Sequence, residues 1–180
     1  NSDNPDIANQ IRRDFMTPED YFNNYLPKYI TKAVNNLSPE LIWKFYCEVA
    51  HLFERNNDVV NARRALVNSE RHAPQNLYWK IWLHGARVEL SCGEPSNARK
   101  LLVRSMLLVP KKMQSLVLLD ISRFEEVLGN VKKARYIIQK AKLDTDFEWK
   151  VLLEAVLLEM RAGNIDRAIS EARSALQVRV

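Results

Sequence analysis

The sequence predicts an all-α fold, a right-handed α-solenoid built from antiparallel helix pairs. The composition is poor in residues that turn a chain tightly, with 4 glycines and 7 prolines in 180 residues, while 47% of the residues are apolar. One pattern of side chains also recurs at steps of 36, 36 and 34 residues. Recurrence at such a period is the signature of a repeat architecture, in which neighbouring units bury one another's apolar faces.

The repeat is clearest at the dipeptide Ala-Arg, which occurs at residues 62–63, 98–99 and 134–135, and at the small residue Ala168. Five further columns recur at fixed distances from these alanines. A small residue lies seven positions later (Ser69, Ser105, Ala141, Ala175), Asn or Gly lies five earlier (Asn57, Gly93, Gly129, Gly163), and mostly Glu lies nine earlier (Phe53, Glu89, Glu125, Glu159). Mostly large residues lie sixteen earlier (Tyr46, Trp82, Leu118, Leu152) and nineteen earlier (Trp43, Trp79, Ser115, Trp149). The large residues form the apolar stripe of a first helix, Gly or Asn accepts the left-handed turn that ends it, and Ala lets a second helix approach closely. Each unit is therefore predicted to be helix, short turn, helix.

The same register sets the predicted boundaries. Four helix pairs occupy residues 40–75, 76–111, 112–146 and 147–180 and form one continuous array. Residues 1–39 are predicted to hold N-terminal helices: a short one at 5–15, and an unpaired repeat helix over 18–36 that starts after Thr17. Thr before Pro18 and two carboxylates is a typical helix start.

These columns resemble tetratricopeptide repeats (TPR), which have 34 residues and a recurring pattern of large, small and Ala positions before a Pro. The second unit carries that pattern at Trp82, Ala86, Gly93, Ala98 and Pro110. The Glu column departs from it and, followed by Gly and Ala-Arg, resembles the half-a-tetratricopeptide (HAT) variant over residues 40–178. The resemblance implies a non-catalytic scaffold that mediates protein–protein interactions in a nuclear RNA-processing complex, acting in splicing, RNA 3′-end formation or decay, or ribosome assembly.

Two other functions fit the same residues. The first is a general TPR-type peptide-binding adaptor outside RNA biology, and the second is direct RNA binding through a basic face. Contacts to phosphates release counterions, so a steep salt dependence distinguishes RNA binding from the two protein-binding alternatives. The expected protein partners are extended segments or other repeats. Only two cysteines, Cys47 and Cys92, are present, which favours a reducing intracellular compartment.

The basic residues cluster in the middle of the chain. The net charge is +5, and eleven Lys and Arg face three Asp and Glu between Pro95 and Lys142. The candidate binding face comprises the ten that are predicted to lie on or beside the second helices of units two and three: Arg99, Lys100, Arg104, Lys111, Lys112, Lys132, Lys133, Arg135, Lys140 and Lys142. Because adjacent units stack, these side chains are expected to share one surface.

No catalytic, cofactor-binding or metal site is predicted, and an enzyme is not expected. Cys47 and His51 lie four residues apart on one helix, but a zinc site needs about four ligands and no second pair is near. The repeat register already explains Glu125 and Glu159, and no Gly-rich phosphate loop occurs. No apolar run reaches the roughly 18 residues that a bilayer requires, so no membrane span is expected.

Two expectations concern the apolar surface. Trp43, Trp79 and Trp149 share one column, which favours packing between helices over stacking on nucleic-acid bases. The fourth unit carries apolar residues on both helices, up to Val178, with no capping helix after them. The chain is therefore predicted to be a fragment whose last unit is covered by further repeats, and the isolated segment is expected to self-associate through that unit.

Overall fold

The computed structural model describes residues 26–144 and 148–177, and this part of the chain is all-α, without strands. Its helices are α1 (Leu26–Asn36), α2 (Pro39–Arg55), α3 (Val59–His72), α4 (Tyr78–Ser91), α5 (Pro95–Leu108), α6 (Gln114–Val127), α7 (Val131–Asp144), α8 (Trp149–Arg161) and α9 (Ile165–Gln177). Short 3₁₀ turns at Gln75–Leu77 and Lys111–Met113 precede α4 and α6. The pairs α2/α3, α4/α5, α6/α7 and α8/α9 are the four repeat units.

The turn inside each unit depends on one residue in the left-handed conformation. This residue is Asn57 in the first unit, with φ of 57°, and Gly93, Gly129 and Gly163 in the others, with φ of 74–78°. The next backbone N–H then donates to the carbonyl five residues earlier, as from Asn130 to Glu125 at 2.8 Å. This bond satisfies a carbonyl that the end of the helix would otherwise leave unpaired.

Within a unit, the two helices meet at the small residues of the repeat. Ala62, Ala98 and Ala134 have no exposed surface, as the close approach of the second helix requires. In the first two units a hydroxyl reinforces this contact. Ser69 Oγ donates to the carbonyl of Trp43 at 2.7 Å, and the equivalent Ser105 Oγ donates to the carbonyl of Trp79 at 2.8 Å.

Between units, each second helix packs against the next first helix, and successive first helices also contact one another. The apolar core therefore continues from unit to unit, which makes the described array an α-solenoid of TPR-like helix pairs. The Trp column belongs to these junctions, because Trp43 packs beside Ile81 and Trp79 lies in one cluster with Val117. Trp149 is instead 53% exposed, and within the described residues no further unit follows to cover it.

The N-terminal prediction falls partly outside the described residues, since the short helix at 5–15 and the start after Thr17 lie in the segment 1–25. The described part of the unpaired helix is α1, which packs on the first unit through Leu26 and Ile30. The division of the chain at residue 39 remains a prediction. Among the described helices, none is both long enough and apolar enough to cross a membrane.

Candidate interaction surfaces

The first helices of units two, three and four line a groove of about 530 Å³. The groove is built from repeated positions, so equivalent residues of α4, α6 and α8 follow one another along it. Its polar and apolar rows are Lys80, Leu116 and Lys150; His84, Asp120 and Glu154; and Arg87, Arg123 and Leu157. A surface built in this way offers several similar binding positions to one extended partner.

Polar contacts join successive first helices at every junction between the described units, and we call them the inner ladder. Its members are His51–His84, Arg87–Asp120 and Arg123–Glu154. In both ion pairs, the arginine lies one helical turn after the residue that is equivalent, by the repeat, to its acceptor. Arg87 follows His84, the equivalent of Asp120, and Arg123 follows Asp120, the equivalent of Glu154. The closest nitrogen–oxygen distances are 2.7 Å for Arg87–Asp120 and 2.5 Å for Arg123–Glu154.

Glu154 is the most buried carboxylate of the inner ladder, with 2% of its surface exposed. Burial by itself raises the pKa of a carboxyl group, because the charged form loses hydration. Hydrogen bonds from Arg123 and Arg161 outweigh that effect, and the pKa of Glu154 lies below its ordinary value. Arg161 also forms two hydrogen bonds with Glu126 on α6, at 2.7 and 2.8 Å. A network of paired charges thus joins α6 to α8 at the last junction.

The first junction uses two histidines in place of an ion pair. His51 Nε2 lies 2.7 Å from His84 Nδ1, and His51 Nδ1 lies 2.9 Å from a carboxylate oxygen of Glu54. In the neutral pair, the Glu54 carboxylate assigns the proton of His51 to Nδ1, so Nε2 accepts from His84. Burial, together with the neighbouring His51 and Arg87, lowers the pKa of His84 to about 4. One ring nitrogen must accept at this 2.7 Å contact, which a neutral His84 allows.

A second set of contacts, the outer ladder, joins each second helix to the next first helix. It consists of Arg63–Glu89, Arg99–Glu125 and Arg135–Glu159, with shortest nitrogen–oxygen distances of 2.7, 3.2 and 2.6 Å. Each arginine belongs to an Ala-Arg dipeptide and each glutamate to the Glu column. Two columns of the sequence repeat therefore meet across every junction between the described units.

The glutamates of the outer ladder are buried and fully engaged. Arg135 binds Glu159 through Nε and Nη2, and this pair holds the pKa of Glu159 below its ordinary value despite burial. Around Glu125, burial raises the pKa, but hydrogen bonds from Lys133 and Asn130 outweigh it and lower the pKa overall. Through these ion pairs and hydrogen bonds, the three carboxylates join each second helix to the next first helix.

The structure divides the ten basic residues of the candidate binding face into two groups. Four pair with carboxylates, and they are Arg99, Lys133, Arg135 and Lys142. Lys142 is buried beside Glu171 on α9. The other six are exposed and form no ion pair within the described residues: Lys100, Arg104, Lys111, Lys112, Lys132 and Lys140.

Four of these six, all except Lys111 and Lys112, share the outer surface of α5 and α7 with apolar side chains. On α5, Val103 and Leu107 are exposed beside Lys100 and Arg104. On α7, Tyr136 and Leu143 are exposed beside Lys132 and Lys140. We define these eight residues as the outer face. Positions 100, 104 and 107 correspond to 136, 140 and 143 by the 36-residue step, so the two helices present equivalent positions.

Reasoning from the sequence found the Glu column and the basic cluster but missed the inner ladder. The signal was present, because Arg87 and Arg123 stand 36 residues apart and His84, Asp120 and Glu154 form a polar column on the same helices. The residue type in that column differs from unit to unit, and only the polar character of the side chain recurs. Within the described residues, no group of three or more His, Cys, Asp or Glu side chains is placed to hold a metal ion.

Comparison with known proteins agrees with this geometry. Residues 11–179 match the family described as the PRP6 TPR-like domain. The chain is 63% identical over 149 residues to a TPR-containing protein of Dictyostelium discoideum, and the aligned region covers 83% of this chain but 11% of that protein. The match to the family model spans the described helix pairs and both ladders. The chain therefore belongs to the family of PRP6 TPR-like domains.

Proposed function

We propose that the chain is a non-catalytic scaffold that mediates protein–protein interactions in a nuclear RNA-processing assembly, with splicing as the first candidate process. The groove across α4, α6 and α8 carries the proposal, because the two ladders fix the helices that line it. A partner that binds a fixed surface pays the ordering cost on one side only. Membership of the PRP6 TPR-like family supports the choice of process, since PRP6 is a splicing factor.

The chemistry of the groove favours an extended protein segment. Lys80 and Lys150 have no ion pair among the described residues, and each ammonium lies over a Trp ring of its own helix. Leu116 and Leu157 add apolar surface between and beside them. A segment with carboxylates opposite the two lysines and apolar side chains between them fits this pattern.

Affinity capture from a nuclear extract tests the proposal. The unchanged chain is compared with the groove variant Lys80→Glu/Lys150→Glu, and with Lys111→Glu/Lys112→Glu, which makes the same change of charge outside the groove. We expect the unchanged chain and the control to capture the same splicing proteins, and the groove variant to lose them.

Two results would contradict the proposal. Capture of transport or chaperone proteins alone would favour a general peptide-binding adaptor. Equal capture by the groove variant and the unchanged chain would show that the groove is not the binding surface.

A further inference from the structure

The outer face of α5 and α7 combines two features that a solvated surface rarely needs together. Leu107 and Leu143 are 79% and 77% exposed, and Tyr136 is 71% exposed. Between and beside these apolar side chains stand cations that have no carboxylate partner within the described residues. Large exposed apolar side chains gathered on one surface indicate an interaction site.

Acidic residues are almost absent from these helices. α5 contains no Asp or Glu, and the only one in α7 is Asp144, its last residue. The positive charge of the outer face is therefore not neutralised by its own helices. An acidic partner would gain attraction without first displacing an internal ion pair.

The first turns of the two helices share a partner on α6. Arg99 of α5 and Lys133 of α7 both reach Glu125 of α6, with nitrogen–oxygen distances of 3.2 and 2.6 Å to the same oxygen. Lys100 follows Arg99 in the chain, Lys132 precedes Lys133, and both are exposed. The outer face therefore spans two neighbouring units whose second helices are tied to the same residue of α6.

Its residues are arranged in rows along the helices. On α5, Lys100 and Arg104 lie one turn apart, beside Val103 and Leu107, which are also one turn apart. On α7, Lys132, Tyr136 and Lys140 follow at the same interval. Neighbours on one helix face recur every three or four residues, so a second helix laid alongside can match this spacing.

We propose that the outer face docks an acidic amphipathic helix of a partner protein. Carboxylates of that helix would meet Lys100, Arg104, Lys132 and Lys140, and its apolar stripe would cover the exposed leucines and Tyr136. RNA fits less well, because phosphates gain nothing from Val103, Leu107 and Leu143, and one aromatic ring offers one stacking position. This surface is separate from the groove, so the scaffold can engage two partners together.

Fluorescence anisotropy with four labelled probes tests the proposal. The probes are an acidic amphipathic peptide of about 20 residues with Glu and Leu at helical spacing, its scrambled form, an oligoglutamate of equal charge, and a single-stranded RNA. We expect the amphipathic peptide to bind about tenfold more tightly than the other three. Tighter binding of RNA with a steep salt slope, or equal binding of the scrambled peptide, would overturn the proposal.

Variants locate the binding and separate it from the groove. Lys100→Glu/Lys140→Glu and Leu107→Ser/Leu143→Ser should each weaken binding of the peptide about tenfold. All four positions are exposed, so the fold should be unchanged, which circular dichroism checks. Lys32→Glu/Lys44→Glu makes the same change of charge on α1 and α2 and should have no effect. The groove variant Lys80→Glu/Lys150→Glu should also leave the peptide bound. Loss of binding in both of these controls would mean that only the net charge acts, and would contradict a docking site.

Discussion

Replacing Arg135 with Met tests the outer ladder most sharply. Its partner Glu159 has 7% of its side chain exposed and accepts hydrogen bonds from Arg135 at 2.6 and 2.8 Å. Arg135→Met keeps most of the aliphatic stem but leaves a buried carboxylate with only the weaker hydrogen bond from Asn164, at 3.2 Å. Breaking a buried pair from one side is costly, because the remaining charge has lost its hydration and its partner.

The loss in the free energy of unfolding has an upper limit that depends on pH. An unpaired Glu159 can take up a proton, and protonating a carboxyl group whose ordinary pKa is 4.5 costs about 3.4 kcal/mol at pH 7. At pH 5 the same protonation costs only about 0.7 kcal/mol. We therefore expect Arg135→Met to lower the free energy of unfolding by about 2–3 kcal/mol near pH 7 and by less than about 1 kcal/mol near pH 5.

Urea unfolding at the two pH values measures this difference. Lys132→Met is the matched control, since Lys132 lies on the same helix, is exposed and should change the stability by less than about 0.5 kcal/mol. The double variant Arg135→Met/Glu159→Gln removes the buried charge and should be more stable than Arg135→Met alone near pH 7. A loss that is equal at both pH values, or a double variant that is no more stable, would refute the assigned role of this pair.

Three further outcomes are expected. Gly129→Ala should cost about 1–2 kcal/mol in urea unfolding through backbone strain alone, because φ is 78° and no atom lies within 4 Å of the added Cβ, whereas Asn57→Gly should not destabilise. The pKa of His84 is lowered from 6.5 to about 4, so as the pH falls the unfolded chain binds a proton at this residue before the folded chain does. Up to about 3 kcal/mol of stability should therefore be lost between pH 6.5 and pH 4. His84→Gln should flatten that part of the pH profile. The isolated chain should self-associate in sedimentation experiments, and Ile169→Glu/Leu176→Glu on the exposed side of α9 should make it monomeric.

The fold could be predicted from the sequence because the same physical requirement recurs in every unit. A left-handed turn needs Gly or Asn, and a close helix crossing needs Ala, so these columns tolerate few alternatives. The Glu column was also visible, and the register correctly assigned it a structural place. Its partner was not identified, because the arginine lies in a neighbouring unit and only the fold shows that the two columns meet.

The candidate sites were harder to predict, for two reasons. Counting charges treats Arg135 and Lys140 alike, yet one is paired with a buried carboxylate and the other is exposed and has no carboxylate partner among the described residues. Charge density therefore located the region but not the side chains that remain available to a partner. In the groove, the residues vary between units, so His84, Asp120 and Glu154 give a column only when polarity is compared instead of identity.

Site-specific photo-crosslinking from the groove tests the scaffold function most directly. A benzophenone side chain replaces Lys80 or Lys150 on the groove, or the exposed Lys32 on α1 as the control position. The chain is then irradiated in a nuclear extract. Mass spectrometry then identifies the crosslinked molecule. We expect both groove positions to crosslink one segment of one RNA-processing protein, which the control position does not reach. Crosslinks to RNA alone, or the same background from all three positions, would contradict a protein-binding groove.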